Sequence, residues 1–193
     1  MRRGVAPTGV RRRSSGGWVG KIGRPTSLSA IRSNFSAEDV LRLLKTGILP
    51  VPAEEAAEFE NYCFVWNIRG SLFLEPFTGS PEGFCEMKPE DAEKLEKLNA
   101  LREKIVFPLE KLRKKLSGAN GREFSAAFYD YLTECEVTEG LRRLYDELIE
   151  NGETAAAENL DSFWSFTVSA LDKFSCALGE TVLEKETMTR LFE

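Results

Sequence analysis

Apolar residues recur at intervals of three and four along most of the chain, which is the spacing of one face of an α-helix. The longest such stripe runs from Leu95 to Leu116, after Pro89 at a favoured first helical position and before Gly118. Shorter stripes predict helices over about 36–45, 54–66, 123–134, 138–151 and 154–178. The fold is therefore predicted to be mainly α, an irregular bundle of several helices.

Local signals place the helix ends. Ser36-Ala-Glu-Asp39 and Thr181-Val-Leu-Glu184 have the spacing of capping boxes, and the second opens a helix that runs through Phe192 without a stop signal. Pro108 predicts a kink about one turn before it in the long helix. A final helix without a stop indicates a chain cut within an element.

Two further sets of residues are expected in the core. Glycines and prolines interrupt any helix over 68–85, but the hydrophobic residues there predict a loop packed against the core. The stripe of aromatic and small residues in the helix over 154–178 has the spacing of a core face: Phe163, Phe166, Ala170, Phe174 and Ala177. No Cys-x-x-Cys pair is present, so all four cysteines are expected as buried thiols: Cys63, Cys85, Cys135 and Cys176.

Charge divides the chain into two regions. Eight of the 26 cations and none of the 31 carboxylates lie before residue 35, so the rest carries a net charge of -13. Residues 1–23 lack apolar periodicity and are predicted to be a disordered basic tail, followed by one helical domain over 24–193. The tail is either a nucleic-acid-binding arm or a leader that is not native, as a wrongly assigned start would produce.

The sequence offers no complete active site. It contains no histidine, the commonest general base. The only Gly-Lys pair, Gly20-Lys21, lacks the glycine and hydroxyl residue of a phosphate loop. Glu82, Glu86 and Lys88 are too closely spaced for a two-metal nuclease site. We therefore predict no catalytic residue, no metal ligand and no cofactor in this chain. No segment resembles a membrane span or a secretory signal, so the default location is cytoplasmic.

Two groups of cations are candidates for phosphate contact. Near the end of the long helix lie Lys111, Arg113, Lys114 and Lys115, and Arg122 follows a few residues later as a candidate member of the group. Interaction with the helix C-terminus and pairing to Glu103 and Glu110 is favoured over phosphate contact for this group. A second group, formed by Arg42, Lys45 and Arg69, surrounds the short helix over 36–45.

Several linked motifs carry a resemblance to a known family. The chain contains Arg42-Leu-Leu-Lys-Thr-Gly47 at a helix end, then Glu60-Asn-Tyr62 and Ile68-Arg-Gly70, followed by the Glu75-Pro76 step. The later run Leu98-Asn-Ala-Leu-Arg-Glu-Lys-Ile-Val-Phe-Pro108 belongs to the same set. In order and distance these motifs resemble the B subunit of the bacterial AddAB (RexAB) helicase-nuclease, over roughly residues 24–193. Phe73 stands where that family would have Trp, and residues 1–23 match nothing in it.

The resemblance implies a position and a set of partners. It places the chain in a helical insertion like the 2B subdomain of superfamily 1 helicases, within an inactivated helicase-like core. The family resects double-strand breaks for recombination; its ATP and Mg act on the complex, and an iron-sulfur cluster lies in its nuclease domain. The implied partners are an AddA-like helicase subunit and, through the complex, DNA. None of those catalytic or cofactor-binding elements matches a motif of this chain.

The residues carried over from the resemblance fall into two sets. Candidate nucleic-acid or subunit contacts are Arg42, Lys45, Thr46 and Arg69, and the structural signature is Gly47, Asn61, Tyr62 and Gly70. The resulting hypothesis is a non-catalytic helical segment of an AddB-like subunit, serving as a scaffold or guiding DNA in double-strand-break repair. The alternative is a free-standing acidic helical module that binds another protein.

Overall fold

The computed structural model describes residues 26–192, without the side chain of Asp161. The predicted tail over 1–23 lies outside the described residues. The described part is helical and contains no named strand, which confirms the mainly α fold. Its elements, in order, are α1 (Thr26–Arg32), α2 (Ala37–Leu44), α3 (Ala53–Val65), a 3-10 helix (Gly70–Leu74), α4 (Pro89–Lys115), α5 (Gly121–Glu134), α6 (Val137–Glu150), α7 (Thr154–Leu178) and α8 (Lys185–Phe192).

Helix α4 is the centre of the fold. Its buried face includes Leu98, Leu101, Ile105, Leu109 and Leu112, as the leucine stripe predicts. Helix α4 packs against α1, α3, the 3-10 helix and α5. Helix α5 in turn packs against α6 and α7. The helix is assigned without a break through Pro108, and the kink there stays a prediction.

The cap of α2 is only partly the predicted one. The hydroxyl of Ser36 accepts a hydrogen bond from the backbone N–H of Asp39 at 3.2 Å and donates one to the Asp39 carboxylate at 2.9 Å. The backbone N–H of Ser36 donates to Ser33 Oγ at 3.2 Å. Aspartate is one methylene shorter than the usual glutamate, so its carboxylate contacts the cap hydroxyl and not the cap backbone.

The second predicted capping box is wrong. Helix α8 begins at Lys185, four residues after Thr181. The backbone N–H of Thr181 donates to Leu178 O at 2.8 Å, and Val182 forms an isolated antiparallel bridge with Asn120. These contacts at the end of α7 keep the Thr181 region out of the helix. The first helical hydrogen bond from this end runs from Met188 N to Glu184 O at 2.9 Å.

Two core predictions need correction. On α7 the face toward α5 and α6 is marked by buried Ala157, Leu160 and Leu171, while Phe166 is 72% exposed. Phe163 and Phe174 are half-buried against the core, and Ala177 is exposed. Helix α7 therefore presents a different face to its neighbours than the aromatic residues suggested.

Of the four cysteines, Cys63 and Cys135 are buried as predicted, but Cys85 and Cys176 are exposed. Cys85 follows the turn at Gly83, and Cys176 lies on the outer face of α7. Burial raises the pKa of Cys63 and of Cys135 to about 12.

The segment over 68–85 is packed on the core in part, as predicted, although Leu72 and Phe84 are 47% and 84% exposed. Phe73 and Phe77 are buried, and both rings contact the Phe59 ring of α3, with centroids 6.4 and 5.8 Å away. Gly79 lies under the ring of Trp66, so that a β-carbon there would be 2.3 Å from the indole. None of the described helices is long and apolar enough to span a membrane.

Candidate nucleic-acid interface

Arg42 and Lys45, the two predicted contact cations of α2, each pair with a carboxylate. Arg42 bonds to Glu38 and lies 3.4 Å from Asp39, while Lys45 Nζ is 2.5 Å from Glu60 on α3. Both cationic side chains are more than half exposed, at 52% and 58%. The Arg42–Glu38 pair is exposed on both sides and contributes about 0–1 kcal/mol, whereas the Asp39 and Glu60 carboxylates are only 17% and 24% exposed.

Thr46 and Gly47 end α2. The Thr46 side chain is buried; its hydroxyl donates to Leu43 O at 2.7 Å and accepts from Ile48 N at 3.3 Å. Gly47 has a φ of +75°, the left-handed conformation that glycine adopts most easily after a helix. The hydroxyl of Thr46 therefore makes its hydrogen bonds within the turn. The nearby cations Arg42 and Lys45 are the side chains that face solvent.

Arg69 and Gly70 lie at the other end of α2. The backbone N–H of Gly70 donates to Phe35 O at 2.8 Å, just before the cap of α2. Gly70 has a φ of +58°, and a β-carbon there would lie 3.8 Å from Asn34 O. Lys45 follows the C-terminus of the helix, whose eight residues span about 12 Å. The structure therefore does not gather the predicted cations at one point.

Arg69 itself is exposed and has extended backbone angles. Its side chain forms no ion pair or hydrogen bond within the part of the chain that the structure describes. The next residue, Gly70, bonds to the backbone of Phe35, and the side chain of the adjacent Asn34 accepts from Arg113 at 2.8 Å.

Asn61 and Tyr62 on α3 differ in exposure. Asn61 is exposed, whereas Tyr62 is buried and its hydroxyl accepts from Gly79 N at 3.0 Å and donates to Gly79 O at 3.2 Å. Desolvation raises the pKa of Tyr62 above its usual value. This tyrosine anchors the loop after the 3-10 helix, together with Trp66, whose indole N–H donates to Ser80 O at 3.0 Å.

The second cation group, at the end of α4, is paired as predicted, but mostly with other partners. Glu110 lies 2.6 Å from Arg113 and 3.5 Å from Lys114. Glu103 instead pairs with Arg102, so the predicted pairing with this group is wrong there. The remaining pairs cross to other elements at 2.7, 2.8 and 3.1 Å: Lys111–Glu134, Lys115–Asp130 and Arg122–Glu180. The Glu134 carboxylate raises the pKa of Lys111.

The three lysines of this group, Lys111, Lys114 and Lys115, line an open groove beside α4. The groove is formed by Leu74, Phe107, Glu110, Lys111, Lys114 and Lys115, and is called the lysine groove below. The ring of Phe107 is 50% exposed in it. Sequence reasoning considered the lysines, but it missed the aromatic ring beside them because Phe107 falls outside the leucine stripe.

A buried arginine lies beneath the groove and was also missed. Arg102 is 1% exposed, and its guanidinium donates to Phe73 O at 3.2 Å and to Asn99 Oδ1 at 3.2 Å. It lies over the rings of Phe77 and Phe107, at 5.8 and 5.5 Å from their centroids. Its place three residues before Ile105 and four after Leu98, on the apolar face, is the signal that could have revealed it.

The side-chain amide of Asn99, one turn earlier on α4, pairs with the backbone of the loop as a second strand would. Its side-chain oxygen accepts from Phe77 N at 2.7 Å, and its side-chain nitrogen donates to Phe77 O at 3.0 Å. Asn99 and Arg102 together hold the segment from Phe73 to Phe77 against α4. Within residues 26–192 no group of three or more histidine, cysteine or carboxylate side chains is arranged to hold a metal ion.

Comparison with known proteins identifies relatives that share a single name. The chain is 31% identical over 180 residues to the B subunit of the ATP-dependent helicase/deoxyribonuclease of Anoxybacillus flavithermus, covering 86% of this chain and 16% of the relative. The protein of the same name from Caldanaerobacter subterraneus is 30% identical over 162 residues, covering 82% and 14%. That from Clostridium botulinum is 27% identical over 158 residues, covering 80% and 14%. No family model matches the chain.

These relatives are much longer than this chain. The chain spans 14 to 16% of the length of the relatives named above. The similarity covers 80% or more of the chain, so it includes most of the helical part and is not confined to a single motif.

Proposed function

We propose that this chain, an AddB-like segment, serves the B subunit of an ATP-dependent helicase/deoxyribonuclease as a helical part that carries no catalytic group of its own. It would act as a scaffold, or would guide DNA, in the repair and recombination of double-strand breaks. The observation that carries this proposal is the match of 80% or more of the chain to a small fraction of each relative. The partners proposed with it are an AddA-like helicase subunit and DNA.

The arrangement of the described residues supports a part of this kind. The two charged side chains buried within residues 26–192, Arg102 and Asp91, serve to hold loops: Asp91 accepts from Lys88 N at 2.9 Å and from Ser80 Oγ at 3.3 Å. The exposed cations at both ends of α2 and along α4 are bound weakly or not at all within residues 26–192. Packed helices with weak surface ion pairs suit a segment that supports neighbouring domains or contacts DNA.

The genomic sequence around the 193 codons tests this proposal. We expect the neighbouring sequence, in the same or a shifted frame, to encode the rest of an AddB-like protein, including a nuclease domain with clustered cysteines. Flanking sequence that encodes only unrelated proteins or a terminator would contradict the proposal.

The closed core of the described residues favours one alternative, a free-standing acidic module that binds another protein. The core is continuous from α1 to α8, since Phe192 contacts Phe124, Phe128 and Phe174 with centroids 5.3 to 5.5 Å apart. Such a module would be monodisperse and would unfold cooperatively when expressed by itself. A part taken from a larger protein would associate through exposed apolar side chains such as Leu191 and Phe166, which are 58% and 72% exposed. Sedimentation velocity of the purified chain distinguishes the two.

A further inference from the structure

The exposed face of α4 carries an aromatic ring followed by lysines. Phe107, Lys111, Lys114 and Lys115 stand at positions i, i+4, i+7 and i+8, which places them on one side of the helix. The stripe is about 12 Å long at the rise of an α-helix. All four side chains are exposed, while Leu109 and Leu112 cover the opposite, buried face. The stripe is therefore free to meet a ligand along its length.

The charge of the lysine groove is positive where it faces solvent. Its one carboxylate, Glu110, is only 16% exposed and is neutralised by Arg113 at 2.6 Å. Lys111 and Lys115 reach sideways to Glu134 and Asp130 on α5, and each of these carboxylates is more than 40% exposed. Ion pairs with that much solvent contribute about 0–1 kcal/mol, so a polyphosphate can compete for the ammonium groups.

The aromatic ring of the groove is held in place from below. The guanidinium of Arg102, buried and bonded to Phe73 O, lies 5.5 Å from the centroid of the Phe107 ring. Leu74, at the end of the 3-10 helix, lines the groove beside it. A fixed, half-exposed ring next to replaceable lysine pairs is the combination with which proteins bind single strands, because bases stack on the ring and phosphates meet the cations.

We propose that the lysine groove binds single-stranded DNA, with a base stacked on Phe107 and the backbone phosphates paired with Lys111, Lys114 and Lys115. The inference rests on the proposed function, which supplies DNA as the ligand. Charge complementarity selects a polyanion, since the groove places three exposed lysines on one side of α4 in a chain whose net charge from residue 35 onward is -13. The exposed ring selects the single strand, because duplex bases are stacked on one another and not available to it.

Fluorescence anisotropy of the full chain with a labelled oligothymidylate of about 20 nucleotides tests the groove. We expect the triple variant Lys111→Gln, Lys114→Gln and Lys115→Gln to bind at least about tenfold more weakly at low salt. Its slope of log affinity against log salt should fall by about 2, since each phosphate contact on a single strand contributes about 0.7. Phe107→Leu should weaken binding about tenfold with an unchanged slope, and Phe107→Tyr should restore it.

Matched controls exist on the same chain. Lys94 and Lys97 lie on α4 and form exposed pairs with Glu82 and Glu93, and Lys173 is exposed on α7. The triple variant Lys94→Gln, Lys97→Gln and Lys173→Gln removes the same charge and should bind like the unaltered chain. Phe166→Leu removes an exposed ring elsewhere and should also have no effect. Cations at residues 1–25 are present in every variant, so the difference between variants reports the groove.

Three results would overturn the inference. The groove and control variants could lose affinity equally, blunt-ended duplex could bind as tightly as the oligothymidylate, or a polyglutamate peptide could bind the groove while the oligonucleotide does not. The last result would assign the groove to an acidic protein segment. If the flanking sequence encodes the rest of an AddB-like protein and any of these results is found, DNA binding by the lysine groove is refuted while the proposed function is retained.

Discussion

Arg102 is the residue on which two parts of the molecule depend. Its guanidinium satisfies the Phe73 carbonyl and supports the Phe77 and Phe107 rings, in a position that is 1% exposed. A charge so deeply buried is stabilising only while its partners are present. It therefore couples the loop after the 3-10 helix to the floor of the lysine groove.

Arg102→Ala should lower the free energy of unfolding by about 3–5 kcal/mol, because it leaves a cavity and an unpaired carbonyl. Arg102→Lys should recover little, since an ammonium lacks the planar fork that contacts Phe73 and Asn99 together. Arg142→Ala is the control: this exposed arginine pairs with Glu139 in α6, and its removal should change stability by less than about 0.5 kcal/mol. Urea unfolding followed by circular dichroism measures all three. Equal effects for the two alanine variants would contradict the role of Arg102.

The cysteines divide by exposure and should divide by reactivity. Cys63 and Cys135 are buried, and burial raises the pKa of each to about 12, so almost none of either thiol is ionised at pH 8. Cys85 and Cys176 are exposed and should react with a disulfide reagent within minutes. Peptide mass spectrometry should find the buried pair modified only after addition of denaturant. Modification of all four at the same rate in the native protein would contradict the described burial.

The raised cysteine pKa values also set a pH dependence of stability. Because the folded-state pKa lies above the unfolded value, the contribution of these thiols is complete below pH about 9 and declines as the pH rises toward 12. Alkaline titration of the urea midpoint should show this loss, and Cys63→Ala with Cys135→Ala should reduce it. A midpoint equally sensitive to alkali in that variant would assign the loss to other groups.

At the scale of elements, helices were predictable and their ends were less so. The leucine stripe of α4 and the glycines after α2, α6 and α7 gave positions within two residues of those observed, because periodicity and left-handed end residues are local properties. Helix α5 begins earlier than expected, at Gly121, since Asn120 Oδ1 accepts from Arg122 N and Glu123 N at 3.0 and 2.9 Å. The start of α8 depends on a contact between Val182 and Asn120, which no local pattern contains.

The cations of the candidate site were visible in the sequence, but its aromatic ring and the grouping of its residues were not. The charge of Lys111, Lys114 and Lys115 was visible in the sequence, as was the glycine at 70. The exposure of Phe107 and the separation of Arg69 from Lys45 follow from packing between segments that are distant in the chain. Such packing cannot be read from a single sequence.

Gly140 fixes how α6 meets the segment after α2. A β-carbon at this position would lie 1.6 Å from the backbone oxygen of Ile48. Glycine to alanine in a helix ordinarily stabilises by about 0.5–1 kcal/mol, but here the helix would have to move away from backbone. Gly140→Ala should therefore destabilise by about 2 kcal/mol or more. Glu139→Ala, at the exposed neighbouring position, should change urea stability by under about 0.5 kcal/mol; a stabilised Gly140→Ala would contradict the close approach.

At the scale of the whole molecule, helices α1–α4 form one group and α5–α7 another, and the two groups meet along α4 and where Gly140 of α6 approaches Ile48. The α1–α4 group holds the cations carried over from the resemblance, and the α5–α7 group carries carboxylates that pair with the α4 lysines. The exposed cations of this arrangement lie on a frame of packed helices. We propose that this frame works inside the B subunit of a helicase/deoxyribonuclease.

A chimera of the Anoxybacillus flavithermus relative, in which residues 26–192 of this chain replace the matching segment, tests that claim most directly. The chimera and a deletion of the same segment would be purified with the AddA-like partner and assayed for ATP-dependent degradation of linear duplex DNA. We expect the deletion to lose activity and the chimera to retain a measurable part of it. A folded chimera as inactive as the deletion, or a deletion as active as the unaltered complex, would contradict the claim.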